Sequence, residues 1–159
     1  MKAIRVHEFG GAENLKLEEI EKPVPNSGQV LIKTEVAGLN FTDISRRRGE
    51  FSSKTILPYV PGLEAAGIIE AVGENVSGFN IGDRVLAHIQ LNGYAEYAVA
   101  TPEQLIHVPE GLSFGEASAL LVQGMTAVGL FAGRKSGTDN SDPCGGWRSR
   151  HDTGPTGKI

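Results

Sequence analysis

Cysteine is almost missing from this sequence. Its 159 residues contain one, Cys144, so no internal disulfide can form and no zinc site built on clustered cysteines is available. Such sparing use is what a reducing compartment leads one to expect. Aromatic residues are few, at 6%. Charge of one sign is in small excess, a formal net −4 without long like-charged blocks, which removes any general attraction to nucleic acid or anionic membrane. No apolar run is read as approaching a membrane span. The opening Met1-Lys2-Ala3-Ile4-Arg5-Val6 is too short and too charged for a signal peptide, and the expected location is cytoplasmic. No internal repeat is visible.

What is present is a series of short strand-like runs separated by turn residues. Lys2 to His7 alternates and Gly10-Gly11 turns the chain; Leu15 to Ile20 alternates again. Val30 to Val36 is a strong β run after the turn cluster Val24 to Gly28. Asn40 to Arg48 has a polar start and helical spacing, with Gly49 as its stop. Further strands are expected over Ala65–Val72, Arg84–His88, Tyr94–Val99 and Leu105–Val108. Ser113 with Glu116 three residues on has the pattern of a capping box, and Gly124 divides the helix it opens from a second helical piece over Thr126–Phe131. Many short strands with glycine-rich corners predict a mainly β domain with a few helices, a compact and partly open β-barrel. The basic run Arg46-Arg47-Arg48 admits two readings, a solvated helix end favoured by the dipole there or a ligand-facing patch.

The pattern stops near Phe131. From Gly133 to Ile159 there is no apolar period, and the composition, rich in Gly, Ser, Asp and Arg, predicts disorder.

Several segments taken together resemble the medium-chain dehydrogenase/reductase superfamily. They are Ala37-Gly38-Leu39-Asn40-Phe41-Thr42-Asp43, Pro61-Gly62-Leu63-Glu64-Ala65-Ala66-Gly67, Gly73-Glu74-Asn75-Val76 with Gly82-Asp83-Arg84-Val85, Gly93-Tyr94-Ala95-Glu96-Tyr97 and Gly124-Met125-Thr126-Ala127. In this order, over residues 1–131, they are similar to the zinc-independent quinone oxidoreductases, the zeta-crystallin-like branch. The resemblance implies a GroES-like catalytic domain over 1–131, to be followed by a Rossmann domain. It also implies NADPH as hydride donor and a small-molecule quinone or conjugated carbonyl as acceptor.

The resemblance also bears on zinc. Asn40 stands where zinc-using members have a cysteine and Leu63 where they have a histidine; leucine cannot ligate and an amide is a poor zinc ligand. No metal site is expected, which disfavours a zinc alcohol dehydrogenase. Asn40 matches a position near the nicotinamide and is the candidate catalytic and cofactor-binding residue; equally, it is a helix cap. Gln123 and Thr126 fall in the segment that reaches the cofactor cleft in relatives, or are polar residues of a helix surface. Arg47 is the candidate acceptor-binding residue. Asp43 and Glu64 are expected to be structural, as are His88 and His107.

The resemblance further implies an apolar strand and a glycine-rich turn after Gly133, where the tail 132–159 stands instead. Reading the codons one base out of register offers an explanation. Trp147-Arg148 must then give glycine, Asn140 to Gly145 can give a run of isoleucine, leucine and alanine around a histidine, and Gly146 to Arg150 can give Ala-Gly-Gly-Val-Gly. That is a strand and a glycine turn of the cofactor-binding kind. The expectation is a frameshifted, truncated reductase with impaired activity and an exposed interdomain surface prone to self-association. The competing expectation is a non-catalytic binding or structural module that uses the barrel alone.

Overall fold

A computed structural model describes residues 1–50 and 55–132. The aberrant tail from residue 133, with Cys144 and the shifted codons, lies outside the described residues. The strands are β1 (Lys2–Arg5), β2 (Lys16–Glu19), β3 (Val30–Ala37), β4 (Glu64–Val72), β5 (Arg84–His88), β6 (Tyr97–Ala100) and β7 (Leu105–His107). Helix α1 (Phe41–Arg47) follows β3, and α2 (Phe114–Ala132) follows β7. The fold is therefore mainly β with two α-helices among the described residues, as the turn-punctuated pattern predicts.

β1 pairs with β2, and the other five strands form one sheet in the order β6-β3-β4-β5-β7, every neighbour antiparallel. The hairpin curls against the larger sheet through bridges between Ala3 and Ala95 and between Val6 and Tyr59, so the whole is a partly open barrel. Tyr94 and Ala95, expected in a strand, instead lie in this junction, and β6 begins only at Tyr97. The Tyr94 carbonyl accepts from the Ile4 N–H at 2.8 Å.

Strand alternation decides what faces what. In the β4–β5 register Ala65 lies opposite Ala87, and Ala66 opposite Leu86. Ala65, Val85 and Ala87 join Val30, Ile32, Ile69, Ala98 and Leu105 in a core on one face. Ala66 and Leu86 face the other way, against Val108 and the α2 residues Ala117 and Leu121. Glu64 shares the parity of Ala66, so the first residue of β4 carries its carboxylate to the α2 side.

The start of α2 is doubly fixed. Ser113 N–H donates to Glu116 Oε2 at 2.9 Å and Glu116 N–H to Ser113 Oγ at 3.2 Å, the expected capping box. From β5, Arg84 donates through Nη2 to the Leu112 carbonyl at 2.6 Å and through Nη1 to the Pro109 carbonyl at 3.2 Å, and its guanidinium lies over the Phe114 ring. The expected division at Gly124 does not occur, and α2 runs unbroken through it. A helix-interior glycine costs only about 1 kcal/mol relative to alanine, less than the packing of Ala117 and Leu121 on the sheet supplies. Joined in this way, α2 is long and apolar enough to cross a bilayer by length and composition alone, which corrects the reading that no run approaches that length. Its second half stands clear of the sheet: Val128, Leu130 and Phe131 are 67%, 70% and 75% exposed.

Candidate functional site

The site forms where the β3–α1 corner, the head of β4 and the middle of α2 meet. Asn40 occupies the N-cap position of α1. Asp43, one turn on, reaches back to accept from the Asn40 N–H through Oδ2 at 3.0 Å. The Asn40 carboxamide points elsewhere: Nδ2 donates to Glu64 Oε1 at 2.8 Å, and Oδ1 accepts from Gln123 Nε2 at 3.1 Å. The cap position and the side-chain bonds are therefore compatible, because the backbone serves the cap while the buried carboxamide links Glu64 to Gln123.

Asp43 holds the corner together. Besides the Asn40 N–H, its carboxylate accepts from the Tyr94 hydroxyl at 2.9 Å and from the Gly62 N–H at 3.2 Å. Gly62 adopts φ +102°, and a Cβ there would collide with Gly93 and Tyr94, so glycine alone permits this approach. Burial, and then the Asp43 charge, push the Tyr94 phenol well above the usual tyrosine range. Burial also raises Tyr59. Asp43 is thus the tie between α1, the Gly62 turn and the barrel junction.

Glu64 is fully buried, and its Oε2 has no partner among the described residues; neither does the buried Ser118 Oγ. Both line an open recess of about 360 Å³ with Val36, Gly38, Leu39, Gly115, Ala119 and Gln123. Gly38 is required here, since a Cβ would run into the Glu64 carboxylate. Sequence reasoning left Glu64 as structural and did not single out Ser118. The available signal was a lone carboxylate at the head of an otherwise apolar strand.

Of the four candidate residues, Asn40 and Gln123 meet. Thr126 is one turn beyond Gln123 on exposed helix, its Oγ1 donating to the Val122 carbonyl at 2.7 Å, which leaves its oxygen lone pairs to accept. Arg47 sits about 10 Å along α1 from Asn40, nearly buried, with Nη1 donating to the Gly10 carbonyl at 2.5 Å. Its neighbours in the basic run are also engaged: Arg46 donates to the Gln90 carbonyl at 2.9 Å, and Arg48 stands 3.9 Å from Glu50. These arginines pin loops to α1. His107 stacks on Phe79 and approaches the Gly78 carbonyl. Among the described residues no cluster of three or more His, Cys, Asp or Glu is placed to hold a metal.

A second recess, of about 330 Å³, lies between α2 and the β5–β7 edge and is lined largely by apolar side chains, among them Leu86, Val108, Leu112, Leu121 and Met125. It lacks the convergent polar groups of the first.

An antiparallel open barrel with a helix laid over one face and a polar corner at Asn40 is a GroES-like domain. Residues 26–110 match the family described as "Alcohol dehydrogenase GroES-like domain", and the chain belongs to that family. It is 47% identical over 129 residues to the quinone oxidoreductase of Mus musculus, covering 80% of this chain and 39% of the relative. Among solved structures it is similar to human synaptic vesicle membrane protein VAT-1 homolog-like protein, with a TM-score of 0.79 and 37% identity over 82% of this chain and 42% of that one. It is also similar to the Escherichia coli quinone oxidoreductase complexed with NADPH, with a TM-score of 0.79 and 30% identity over 85% of this chain and 41% of that one. The chain thus spans about two-fifths of the length of these relatives.

Proposed function

We propose that this chain is the catalytic-domain portion of an NADPH-dependent, zinc-independent reductase of quinones or other conjugated carbonyls, working in the cytosol. The observation that carries the reading is the hydrogen bond from Gln123, which lines the recess, to the buried Asn40 behind it, on a domain similar to that of an enzyme solved with NADPH. The donor set suits the uncharged, ring-bearing end of such a cofactor: two carboxamides, a threonine hydroxyl at Thr126, and two buried oxygens without partners. When bound, NADPH supplies the hydride. Asn40 and Gln123 would orient the ring or the acceptor oxygen by hydrogen bonding, and Thr126 would offer an acceptor to the cofactor's sugar; Arg47, buried and bonded to the Gly10 carbonyl, is left out of the site.

The described residues do not supply a pyrophosphate site. Every strand pair among the described residues is antiparallel, so they contain no βαβ unit whose helix N-terminus could receive the phosphates. Contacts at the nicotinamide end alone leave most of the cofactor in water, and they must still offset its loss of freedom. Little or no turnover is therefore expected of the isolated chain.

The test is NADPH oxidation with a simple quinone, measured on this chain and on a chimera joining residues 1–131 to the remainder of a similar quinone oxidoreductase. The chimera should turn over in the presence of a chelator, and Asn40→Ala should impair it. Turnover by the isolated chain at ordinary enzyme rates, on the order of 1–1000 per second, would overturn the expectation of impaired activity. A chimera that binds NADPH yet reduces no quinone or enone would overturn the reductase reading.

A further inference from the structure

We propose that Glu64 is a positioning residue that sets the hydrogen-bond direction of the Asn40–Gln123 pair, and so fixes the sides on which the outer amide accepts and donates. The inference deepens the reading above and rests on Asn40 and Gln123 being the residues that meet the ligand.

A carboxamide has two ends of almost the same shape and opposite hydrogen-bonding character. Packing alone does not choose between its two flips; a neighbour of fixed character does. Glu64 is such a neighbour, because a carboxylate only accepts. It is wholly buried, at the head of β4 opposite His88, and the bare Cα of Gly38 lets it lie against the β3–α1 corner. Asn40 must therefore present Nδ2 to Glu64, as it does at 2.8 Å, which turns Oδ1 toward α2. Gln123 must then present Nε2 to that oxygen, as it does at 3.1 Å. The direction propagates outward, and it leaves Gln123 Oε1 to accept on one side and the second Gln123 Nε2 hydrogen to donate on the other.

The outer face of the pair therefore presents an acceptor, Gln123 Oε1, and a donor, the second Gln123 Nε2 hydrogen, on sides that Glu64 fixes. Deeper in, Glu64 Oε2 adds an acceptor and Ser118 Oγ a hydroxyl that can donate or accept, both without partners among the described residues and on the same wall. A ligand group that donates, such as a hydroxyl or a primary amide N–H, is matched there. A carbonyl is matched on the donor side, by the second Gln123 Nε2 hydrogen or the Ser118 hydroxyl.

The test uses the isotope-labelled 159-residue chain and the side-chain amide resonances of Asn40 and Gln123. In the wild-type chain each should give a single pair of resonances. Glu64→Gln removes the acceptor-only neighbour, because Gln offers either end. With the backbone spectrum unchanged, both carboxamides should then double or broaden, while Gln123→Ala should leave Asn40 with a single pair. Single, unmoved Asn40 resonances in Glu64→Gln would overturn the proposal.

A second measurement decides the matter even where that variant folds poorly. Asn40→Asp sets two carboxylates against each other in a buried site, so its denaturation midpoint at about pH 8 should fall. Adding Glu64→Gln supplies a donor to Asp at position 40 and should restore the midpoint. A double variant no more stable than Asn40→Asp would overturn the coupling. Neither measurement involves NADPH, so the reductase reading can fail while this one stands, and the reverse.

Discussion

At the scale of single residues, the site is organised by carboxylates that never appear at the surface. Asp43 gathers Asn40, Gly62 and Tyr94, and Glu64 receives the Asn40 side chain. The Tyr94 bond has a measurable consequence in alkali. Below about pH 10, the ordinary tyrosine value, the phenol is neutral in both the folded and the unfolded chain. Above it, the unfolded chain gives up its proton while folded Tyr94 keeps it, because burial and Asp43 raise its pKa. Unfolding then releases a proton, and stability falls as pH rises. Tyr94→Phe should lose about 1.5–3 kcal/mol at neutral pH, the worth of a hydrogen bond to a charged group, and should show a shallower decline above pH 10 in urea titrations at stepped pH. Tyr59, also raised by burial, leaves some decline behind. An equally steep decline in the variant would remove Tyr94 as its source. Asn40 was legible in the sequence because polar residues at helix starts are a local signal. The bond from Asn40 to Glu64 was not, because it joins residues 24 apart through a strand parity that only the folded register fixes.

At the scale of elements, the strands were legible because alternation and turn residues are local, and β3, β4, β5 and β7 begin within a residue of where the pattern places them. Helix α2 was misread at Gly124, where a propensity signal was overridden by tertiary packing. Since a Cβ at Gly124 would meet nothing, Gly124→Ala should stabilise the domain by about 0.5–1 kcal/mol, seen as a higher melting temperature; a loss would mean that the glycine is needed for a close contact. The far half of α2 carries a different expectation. Leu120, Val128 and Phe131 recur along one side of the helix, and all are exposed. A contiguous apolar strip of this kind favours association. The chain should therefore show a rise in apparent mass with concentration by light scattering, and Val128→Glu with Phe131→Lys should abolish it without altering the circular dichroism of the domain. A wild-type chain that stays monomeric at all accessible concentrations would contradict this.

At the scale of the whole molecule, the exposed strip, the open recess and the two-fifths coverage of its relatives have one geometric reading. It is the proposal made above, that this domain presents one wall of a cleft. What the remaining residues encode is then a question about the gene rather than the domain. Read in the register of the first part, residues 133–159 carry no apolar period. Read one base later, Trp147-Arg148 yields glycine whichever arginine codon is used, and the flanking positions admit an apolar strand before it and a helix start after it. A glycine corner between strand and helix is what brings backbone amides to a pyrophosphate, the part of a cofactor site that the described residues do not supply. We therefore expect the coding DNA downstream of Phe131 to hold, in the shifted phase, an open frame encoding that strand, corner and helix. Correcting the phase should yield a chain that oxidises NADPH in the presence of a quinone. Stop codons in the shifted phase close behind Phe131 would remove the frameshift reading while leaving the Asn40 corner and its chemistry as described.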